Sequence, residues 1–384
     1  MTELLLRPET ISSKTRFPVF DTDTHPRTFA TDPRIVEYLP ERWRNYVAEF
    51  GPLHRPRGER PRHREFASRW DAQTPDGGPP GSDPAFAAEQ LLDRYDMSGA
   101  MINDIAGFVM NGAGGQPAEM AKAYCRAMNL HRRDFWLASD PRWYGSITVP
   151  YELPEAAAEE IRYCKEEMGE YNDRWKQVFL APDNLRPAGH PSYWPMYEVA
   201  EHYDLPIAFH VLAGHRITPS GSANFYFEEH CDFALFNFPL LSSMIFEGVF
   251  NRFPRLKVVL VELAWSWAVP FAWRLDHAYR VNRNEVPHLD RLPSEYLRDH
   301  VYYTTQPMEE PENDLWFDDV LEQFETSGMS KNLMYSSDYP HWDFDEPAAL
   351  PSRLSDEQLR RILGANASEV YHVDLFPGSG YPRG

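Results

Sequence analysis

FPVFDTDTH, at residues 17–25, is a short apolar stretch that passes into alternating polar residues. Successive side chains of a strand point to opposite faces, so Asp21, Asp23 and His25 are expected to share one face. A carboxylate and an imidazole two residues apart can both ligate one divalent metal ion. We therefore interpret the stretch as a first strand that ends in half of a metal site, and we look for the other half further along the chain.

The amino-acid composition limits the kinds of protein and partner that are expected. The chain has 384 residues, 42% of them hydrophobic, and a net charge of −20. The acidic balance argues against nucleic acid and against an anionic membrane surface as partners. Cys125, Cys164 and Cys231 form no metal or redox motif, so we expect reduced thiols in a cytoplasmic protein. We expect no signal peptide and no membrane span, because the apolar runs are too short for either.

Strand and helix patterns alternate along most of the chain. The predicted strands are Phe17–Asp23, Ala100–Asn103, Trp143–Val149, Trp175–Leu180, Leu205–His210, Leu256–Glu262, Val301–Thr305 and Leu333–Ser336. No Gly-x-Gly-x-x-Gly motif follows any of them, so a dinucleotide-binding fold lacks its main signal. A single α/β domain over residues 17–375, folded as a (β/α)8 TIM-type barrel, fits best. Residues 1–16 and 376–384 are predicted to be tails.

A loop-rich insertion is predicted after the first strand, over residues 26–84. It contains a short helix near Pro40–Phe50, an arginine-rich run from Arg55 to Arg69, and the turn cluster TPDGGPPGSDP at 74–84. We interpret the arginine run as a solvated or interface loop rather than as a polyanion site. Connections of this length are usually functional or cover a site.

Metal-binding side chains occur at the ends of several predicted strands. Asp23 and His25 end the first strand, His210 ends the fifth, Glu262 ends the sixth and Asp338 follows the last. Each alone has a structural explanation, such as a hydrogen-bonded histidine or an aspartate in a turn. In a (β/α)8 barrel, however, these ends converge on one face, where chemistry takes place. Together the residues predict a metal site.

Five stretches carry a resemblance to a known family. They are DTDTHP (21–26), WPMYEVAEHYDLPIAFH (194–210), GVFNRFPRLKVVLVELAWSWAVPFAWRLD (248–276), YSSDYPHWDFD (335–345) and ILGANASEVY (362–371). Through them the chain resembles the amidohydrolase superfamily, in the branch that includes aminocarboxymuconate semialdehyde and resorcylate decarboxylases. The resemblance implies a metal ion held by Asp23, His25, His210 and Asp338. It also implies a homodimer, since relatives in this branch are commonly dimers.

The chain departs from the family pattern at two positions. Asp23 stands where the first histidine of the pair is usual, as an acid does in some decarboxylases of the branch. Glu262 stands where the decarboxylases have a histidine near the metal, and this favours a hydrolase. Three roles stay open for Glu262, namely a further ligand, a proton shuttle, or a residue that orients His210 or His215.

Two enzymatic hypotheses follow from this ligand set, which favours Zn²⁺ with Mn²⁺ as the alternative. The first is a hydrolase of an amide, ester or lactone of a small apolar or aromatic substrate, in which Asp338 takes a proton from a metal-activated water. The alternative is a non-oxidative decarboxylase of an aromatic or unsaturated acid, in which Asp338 helps to protonate the carbon that loses CO2. A barrel that only binds a ligand predicts missing metal ligands, and here all four are present.

Loop residues complete the predicted site. His215 joins Asp338 and Glu262 as a catalytic candidate, and an aromatic lid is considered at Phe225–Phe227. The predicted substrate contacts are Trp265, Arg216, His341 and Trp342. The tryptophans would form pocket walls, His341 would act as a substrate or acid–base contact, and Arg216 would hold a substrate carboxylate.

Overall fold

The computed structural model describes residues 17–27, 32–51, 67–110, 116–181, 185–211, 223–309, 311–351 and 353–375. In these residues eight strands form one sheet in chain order. The strands are β1 Phe20–Thr24, β2 Gly99–Ile102, β3 Trp143–Thr148, β4 Trp175–Leu180, β5 Ile207–His210, β6 Val258–Val261, β7 Val301–Thr304 and β8 Leu333–Met334. Each strand pairs in parallel with the next. The predicted tails lie outside the described residues.

The sheet curls back on itself at its two edge strands. The backbone N–H of Thr22 donates to the carbonyl of Tyr335 over 3.1 Å, and Thr24 forms a parallel bridge with Tyr339. Helices surround the strands, as expected when parallel strands need crossover connections. The predicted (β/α)8 barrel is confirmed.

The helices follow the strands in alternation. They are α1 Pro33–Glu37, α2 Glu41–Phe50, α3 Pro84–Ala87, α4 Ala118–His131, α5 Pro154–Glu166, α6 Trp194–His202, α7 Tyr226–Cys231, α8 Asn237–Phe246, α9 Val249–Arg252, α10 Ala268–Asn282, α11 Pro293–His300, α12 Asp314–Thr326, α13 Asp356–Arg360 and α14 Asn366–Tyr371. One long helix predicted over residues 232–253 is instead divided into α8 and α9. Gly248 separates them with φ of 77°, a left-handed conformation that interrupts a helix. No helix of the described ranges is long and apolar enough to cross a membrane.

The core has two layers because neighbouring side chains of a strand point to opposite faces. The interior of the barrel is filled by side chains that include Phe20, Met101, Phe179, Ala208, Val259 and Met334. Their neighbours along the strands, such as Ala100, Val178, Phe209 and Leu260, pack outward in the cluster that also contains the helices. Burial on both faces explains why strands such as VVLV at 258–261 read as continuous apolar runs.

An irregularity in β1 changes which of its side chains share a face. Asp21 pairs with Ala100 and Thr24 with Ile102, so β1 takes three steps where β2 takes two. Such a bulge re-aims the side chains that follow it. Asp23 faces the metal-binding cluster described below, whereas Asp21 accepts hydrogen bonds from Ser337. The prediction that Asp21 shares a face with Asp23 and His25 is therefore wrong.

The end of the insertion lies beside the loop that follows β8. The N–H of Trp342 donates to the carbonyl of Ala67, and the N–H of Arg69 donates to the carbonyl of Pro340, over 2.8 and 2.9 Å. Ser68 and His341 form an antiparallel bridge between these contacts. This part of the insertion is thereby tied to the segment directly after Asp338. Residues 52–66, which contain most of the arginine-rich run, lie outside the described residues.

Candidate metal centre

The four side chains predicted to bind metal converge at the C-terminal mouth of the barrel. Nε2 of His25 lies 2.9 Å from Oδ1 of Asp338, 3.3 Å from Oδ1 of Asp23 and 3.3 Å from Nε2 of His210. Oδ2 of Asp23 lies 3.9 Å from Nε2 of His210. All four side chains are buried. The strand ends thus bring together residues that are up to 315 positions apart in sequence, from Asp23 to Asp338.

Backbone carbonyls fix the orientation of both histidine rings. Nδ1 of His25 lies 2.9 Å from the carbonyl of Asn103, and Nδ1 of His210 lies 2.5 Å from the carbonyl of Val211. A carbonyl only accepts, so each Nδ1 carries the proton. In its neutral form, which metal binding requires, each ring then turns the lone pair of Nε2 towards the centre. This is the arrangement usual for metal-ligating histidines.

The two aspartates each present a buried oxygen that lacks a donor. Nδ2 of Asn103 donates to Oδ1 of Asp23 over 2.7 Å. Oδ2 of Asp23 and Oδ2 of Asp338, however, are buried and have no hydrogen-bond partner among the described residues. Leaving a buried acceptor without a partner costs about 1–3 kcal/mol, and more for a charged one. Ligand atoms of Asp23, His25, His210 and Glu262 lie within 4.8 Å of one another, and an overlapping set joins His25 and Glu262 to Asp338 and His341, so these donors fit a metal ion.

The electrostatics of the cluster favour positive charge. Burial lowers the pKa of His25, but the charges and hydrogen bonds of Asp23 and Asp338 outweigh it and raise that pKa well above its usual value. Burial lowers the pKa of His210 to about 4. Without a metal ion, a proton on His25 is therefore the charge that the carboxylates attract. Metal binding displaces such a proton, because a ligating histidine must be neutral.

Asp338 and Glu262 both have left-handed backbone conformations, with φ of 59° and 56°. Residues other than glycine seldom adopt this region, which costs roughly 1–3 kcal/mol where the structure enforces it. The N–H of Asp338 donates to the carbonyl of Asp23 over 3.1 Å, and the N–H of Glu262 donates to Oγ1 of Thr304 over 3.1 Å. Conformations of this kind cluster at functional sites.

Glu262 contacts the side of His210 that faces the centre. Its Oε2 lies 2.8 Å from Nε2 of His210. Burial and the nearby charges of Asp338, Asp343 and Asp23 raise the pKa of Glu262 well above its usual value. Nδ1 of His210 is held by the Val211 carbonyl, so the role of orienting His210 belongs to that carbonyl, while His215 lies outside the described residues. The roles of ligand and of proton carrier are the ones compatible with this contact.

His341 and Trp342 follow Asp338 into the site. Nδ1 of His341 lies 2.6 Å from Oδ1 of Asp338, and its ring lies 4.6 Å from the ring of His25. Burial lowers the pKa of His341 well below its usual value. Trp342 is half-buried and donates from Nε1 to the hydroxyl of Tyr226 over 3.1 Å. Both residues therefore lie beside the candidate ligands, and their contact with substrate stays a prediction.

Trp265 does not line the site. Its side chain is 1% exposed, and its ring packs 5.6 Å from Phe317 and 4.8 Å from Phe324 of α12. The predicted pocket wall at Trp265 is therefore wrong. The backbone turns at Ala264, with φ of 55°, and this ends the strand alternation that would have carried the side chain to the mouth of the barrel. The other two predicted residues, His215 and Arg216, lie outside the described residues.

Three polar residues of the site were not predicted from the sequence, namely Asn103, His230 and Asp343. Asn103 was predicted only as the end of a strand, although a polar residue at that position is a usable signal. His230 and Asp343 form an ion pair, with 2.7 Å between Nε2 and Oδ2. Burial lowers the pKa of His230, but the hydrogen bond and charge of Asp343 outweigh it and raise that pKa. Neither of these two residues ends a strand, so the strand-end criterion could not find them.

Comparison with known proteins places the chain in a family. A family model described as amidohydrolase matches residues 20–373. The gamma-resorcylate decarboxylase of Polaromonas sp. JS666 is 24% identical over 256 residues, which are 61% of this chain and 71% of that protein.

Solved structures give the same fold. The 5-carboxyvanillate decarboxylase of Sphingomonas paucimobilis aligns with a TM-score of 0.66 and 19% identity, over 93% of this chain and 99% of that chain. The dihydroxybenzoic acid decarboxylase of Polaromonas sp. JS666, with bound manganese and 2-nitroresorcinol, aligns with a TM-score of 0.60 and 16% identity, over 93% and 98%. Because the family model spans nearly all of the barrel, this chain belongs to the amidohydrolase family.

Proposed function

We propose that the protein is a metal-dependent, non-oxidative decarboxylase of a small aromatic carboxylic acid. The observation that carries the proposal is the pair formed by Asp338 and His341, 2.6 Å apart and directly beside the other candidate ligands. This pair gives a proton a route to the reaction centre. The three relatives described above are all named as decarboxylases of aromatic acids. Decarboxylation, which the sequence analysis held as the alternative, thus becomes the main proposal.

Asp23, His25, His210 and Asp338 would hold one divalent metal ion. Nitrogen and carboxylate donors suit both Zn²⁺ and Mn²⁺. The manganese in the dihydroxybenzoic acid decarboxylase of Polaromonas supports Mn²⁺ as the first metal to test. When bound, the metal ion would hold and polarise the oxygens of the substrate. Asn103 holds Asp23 and the ring of His25 in place, and the Val211 carbonyl holds the ring of His210.

Asp338 is proposed to deliver the proton that replaces the carboxylate. In the reaction the bond between the ring carbon and the carboxylate breaks, CO2 leaves, and one proton is added to that carbon. His341 is hydrogen-bonded to Asp338 and would return a proton to it from solvent after each turnover. Burial of Asp338 excludes water from the site of protonation.

Aromatic side chains around the ligands support an aromatic substrate. The rings of Phe108 and Phe179 lie 6.0 and 5.5 Å from the ring of His210. The rings of Trp342, in the loop after β8, and of Tyr226, in α7, lie 6.3 Å apart. Offset and edge-to-face contacts with such rings favour a flat ligand.

Hydrolysis remains the second candidate because of Glu262. The two reactions separate on a panel of substrates. Protein loaded with Mn²⁺ or Zn²⁺ would be incubated with 2,6-dihydroxybenzoate and 5-carboxyvanillate, and with aromatic esters and amides, while CO2 and products are measured. We expect CO2 from an acid, and loss of this activity in Asp338→Asn. Ester or amide cleavage without CO2 release would refute the proposal in favour of hydrolysis.

Two further expectations from the sequence stay as proposals. The homodimer implied by the family resemblance can be tested by light scattering on the eluting protein. The cytoplasmic location can be tested by cell fractionation.

A further inference from the structure

A second group of titratable side chains adjoins the metal centre. A ring nitrogen of His230 from α7, a carboxylate oxygen of Asp343 from the loop after β8, and a carboxylate oxygen of Glu262 lie within 4.8 Å of one another. Glu262 is also the residue that contacts His210, at 2.8 Å. Glu262 therefore lies between His230 and the proposed metal ligand His210.

Asp343 is held so that it orients His230. Its Oδ2 lies 2.7 Å from Nε2 of His230 and 2.7 Å from Nε2 of Gln306. Gln306 is itself 1% exposed, and its N–H donates to Oγ of Ser336 over 2.9 Å. A carboxylate fixed from one side by an amide is a suitable acceptor for an imidazole N–H on the other side.

This hydrogen-bond pattern argues against a second metal ion. Oδ2 of Asp343 already accepts from Gln306, and Nε2 of His230 faces that oxygen as a donor. A donor nitrogen has no lone pair for a metal. Nδ1 of His230 is left over, and it makes no hydrogen bond to any residue in the described ranges.

The surroundings of His230 suit an aromatic ligand. Its ring lies 4.8 Å from Phe233, 5.4 Å from Trp342 and 5.9 Å from Tyr226. The side chain of His230 is 15% exposed, whereas that of Asp23 is fully buried. A ligand entering among these rings can therefore reach His230.

We propose that His230 is a substrate-binding residue and that Asp343 positions it. His230 would donate or accept a hydrogen bond with an oxygen substituent on the aromatic ring of the substrate, on the side of that ring away from the metal ligands. This inference rests on the proposed function, because it assumes an aromatic acid at the metal centre. It makes His230 a determinant of specificity for acids with a second ring hydroxyl. A hydrogen bond of this kind is expected to tighten binding of the ligand about tenfold.

A binding cycle tests this contact without turnover. The probes are 2-nitroresorcinol and 2-nitrophenol, which differ by one hydroxyl, and their Kd values are measured by titration calorimetry on manganese-loaded protein. Wild type is expected to bind 2-nitroresorcinol about tenfold more tightly, and His230→Phe is expected to lose this difference. Asp343→Asn, which keeps the ring but weakens its orientation, should lose part of it. His277→Phe, at an exposed histidine of α10, is the control and should behave as wild type.

The outcomes separate this inference from the proposed function. Equal hydroxyl selectivity in wild type, His230→Phe and Asp343→Asn would overturn the role of His230 while leaving CO2 release to stand. Two manganese ions per wild-type chain and one in His230→Phe would overturn it in favour of a second metal site. A wild-type protein that binds neither probe and releases no CO2 would overturn the proposed function itself.

Discussion

Nε2 of His25 and Nε2 of His210 lie 3.3 Å apart, while Nδ1 of each ring is hydrogen-bonded to a backbone carbonyl. Two lone pairs at this distance repel each other unless positive charge lies between them. The carboxylates of Asp23 and Asp338 add two more acceptors to the same space. The ring orientations, rather than the residue types alone, therefore make this cluster a cation site.

Ser337 is predicted to support metal binding through the backbone of Asp338. Its N–H and hydroxyl donate to the buried carboxylate of Asp21 over 2.9 and 2.5 Å. Ser337→Ala removes the hydroxyl contact to Asp21 but no direct contact to a ligand, so we expect the affinity for Mn²⁺ to fall by up to about tenfold, the lower end of the range for residues that support metal ligands. Metal titration would measure the change. Ser139→Ala, which removes a hydrogen bond to the Trp136 carbonyl, is the control, and an equal loss in both variants would contradict the prediction.

Glu262→Gln is predicted to keep the metal ion and lose turnover. Asp23, His25, His210 and Asp338 are the four donors proposed for the metal ion, and Glu262 adds a carboxylate oxygen within 4.8 Å of ligand atoms of Asp23, His25 and His210. Of the two roles compatible with its contact to His210, we assign Glu262 that of a proton carrier alongside Asp338 and His341. We therefore expect metal content close to that of wild type and a rate of CO2 release lower by about 10²–10⁴-fold, the range for a group that transfers protons. A variant that purifies without metal would instead make Glu262 a ligand.

Trp265 is predicted to matter for stability and not for metal binding. Trp265→Ala would leave a cavity against Phe317 and Phe324, with a loss of about 3–5 kcal/mol in the free energy of unfolding. Denaturant unfolding would measure this loss, and metal titration of the folded variant should match wild type. If Trp265→Ala loses affinity for metal or probe while its free energy of unfolding is unchanged, Trp265 lines the site after all.

His300 is predicted to make stability depend on pH. Its Nδ1 faces the Leu256 carbonyl and its Nε2 accepts from Arg291, so the ring is neutral, and burial lowers its pKa to about 4. In the unfolded chain the pKa is about 6.5. As pH falls below 6.5 the unfolded state binds a proton that the folded state does not, so stability falls until the pH reaches about 4, by roughly 3 kcal/mol.

Denaturant unfolding between pH 7 and pH 4 would measure this slope. The comparison is with His300→Gln, which can still accept from Arg291 and donate to the Leu256 carbonyl but does not titrate. We expect the wild-type curve to fall more steeply than that of the variant. Parallel curves would show that His300 does not contribute.

Most of the barrel was predictable because buried parallel strands leave a clear signal. The stretch WKQVFL was predicted as a strand at Trp175–Leu180, and the structure has the same bounds. The convergence of Asp23, His25, His210 and Asp338 followed from barrel geometry, since strand ends meet at one face.

Other features depended on information that no local pattern carries. One extra residue in β1 separates Asp21 from Asp23, and a positive φ at Ala264 turns Trp265 into the outer core. His230 comes from a short helix and Asp343 from a loop, so their pairing depends on tertiary contacts alone. Likewise, the contact of Glu262 with the centre-facing nitrogen of His210 required the position of both side chains.

The metal content of the purified protein is the most direct test of the proposed cation site. Elemental analysis would compare wild type with Asp23→Asn and His210→Ala, after incubation with Mn²⁺ or Zn²⁺ and removal of free ions. We predict about one tightly bound ion per wild-type chain and a large loss in both variants, because each removes a donor from the set. Equally little bound metal in wild type and in both variants would exclude a metal site at these residues.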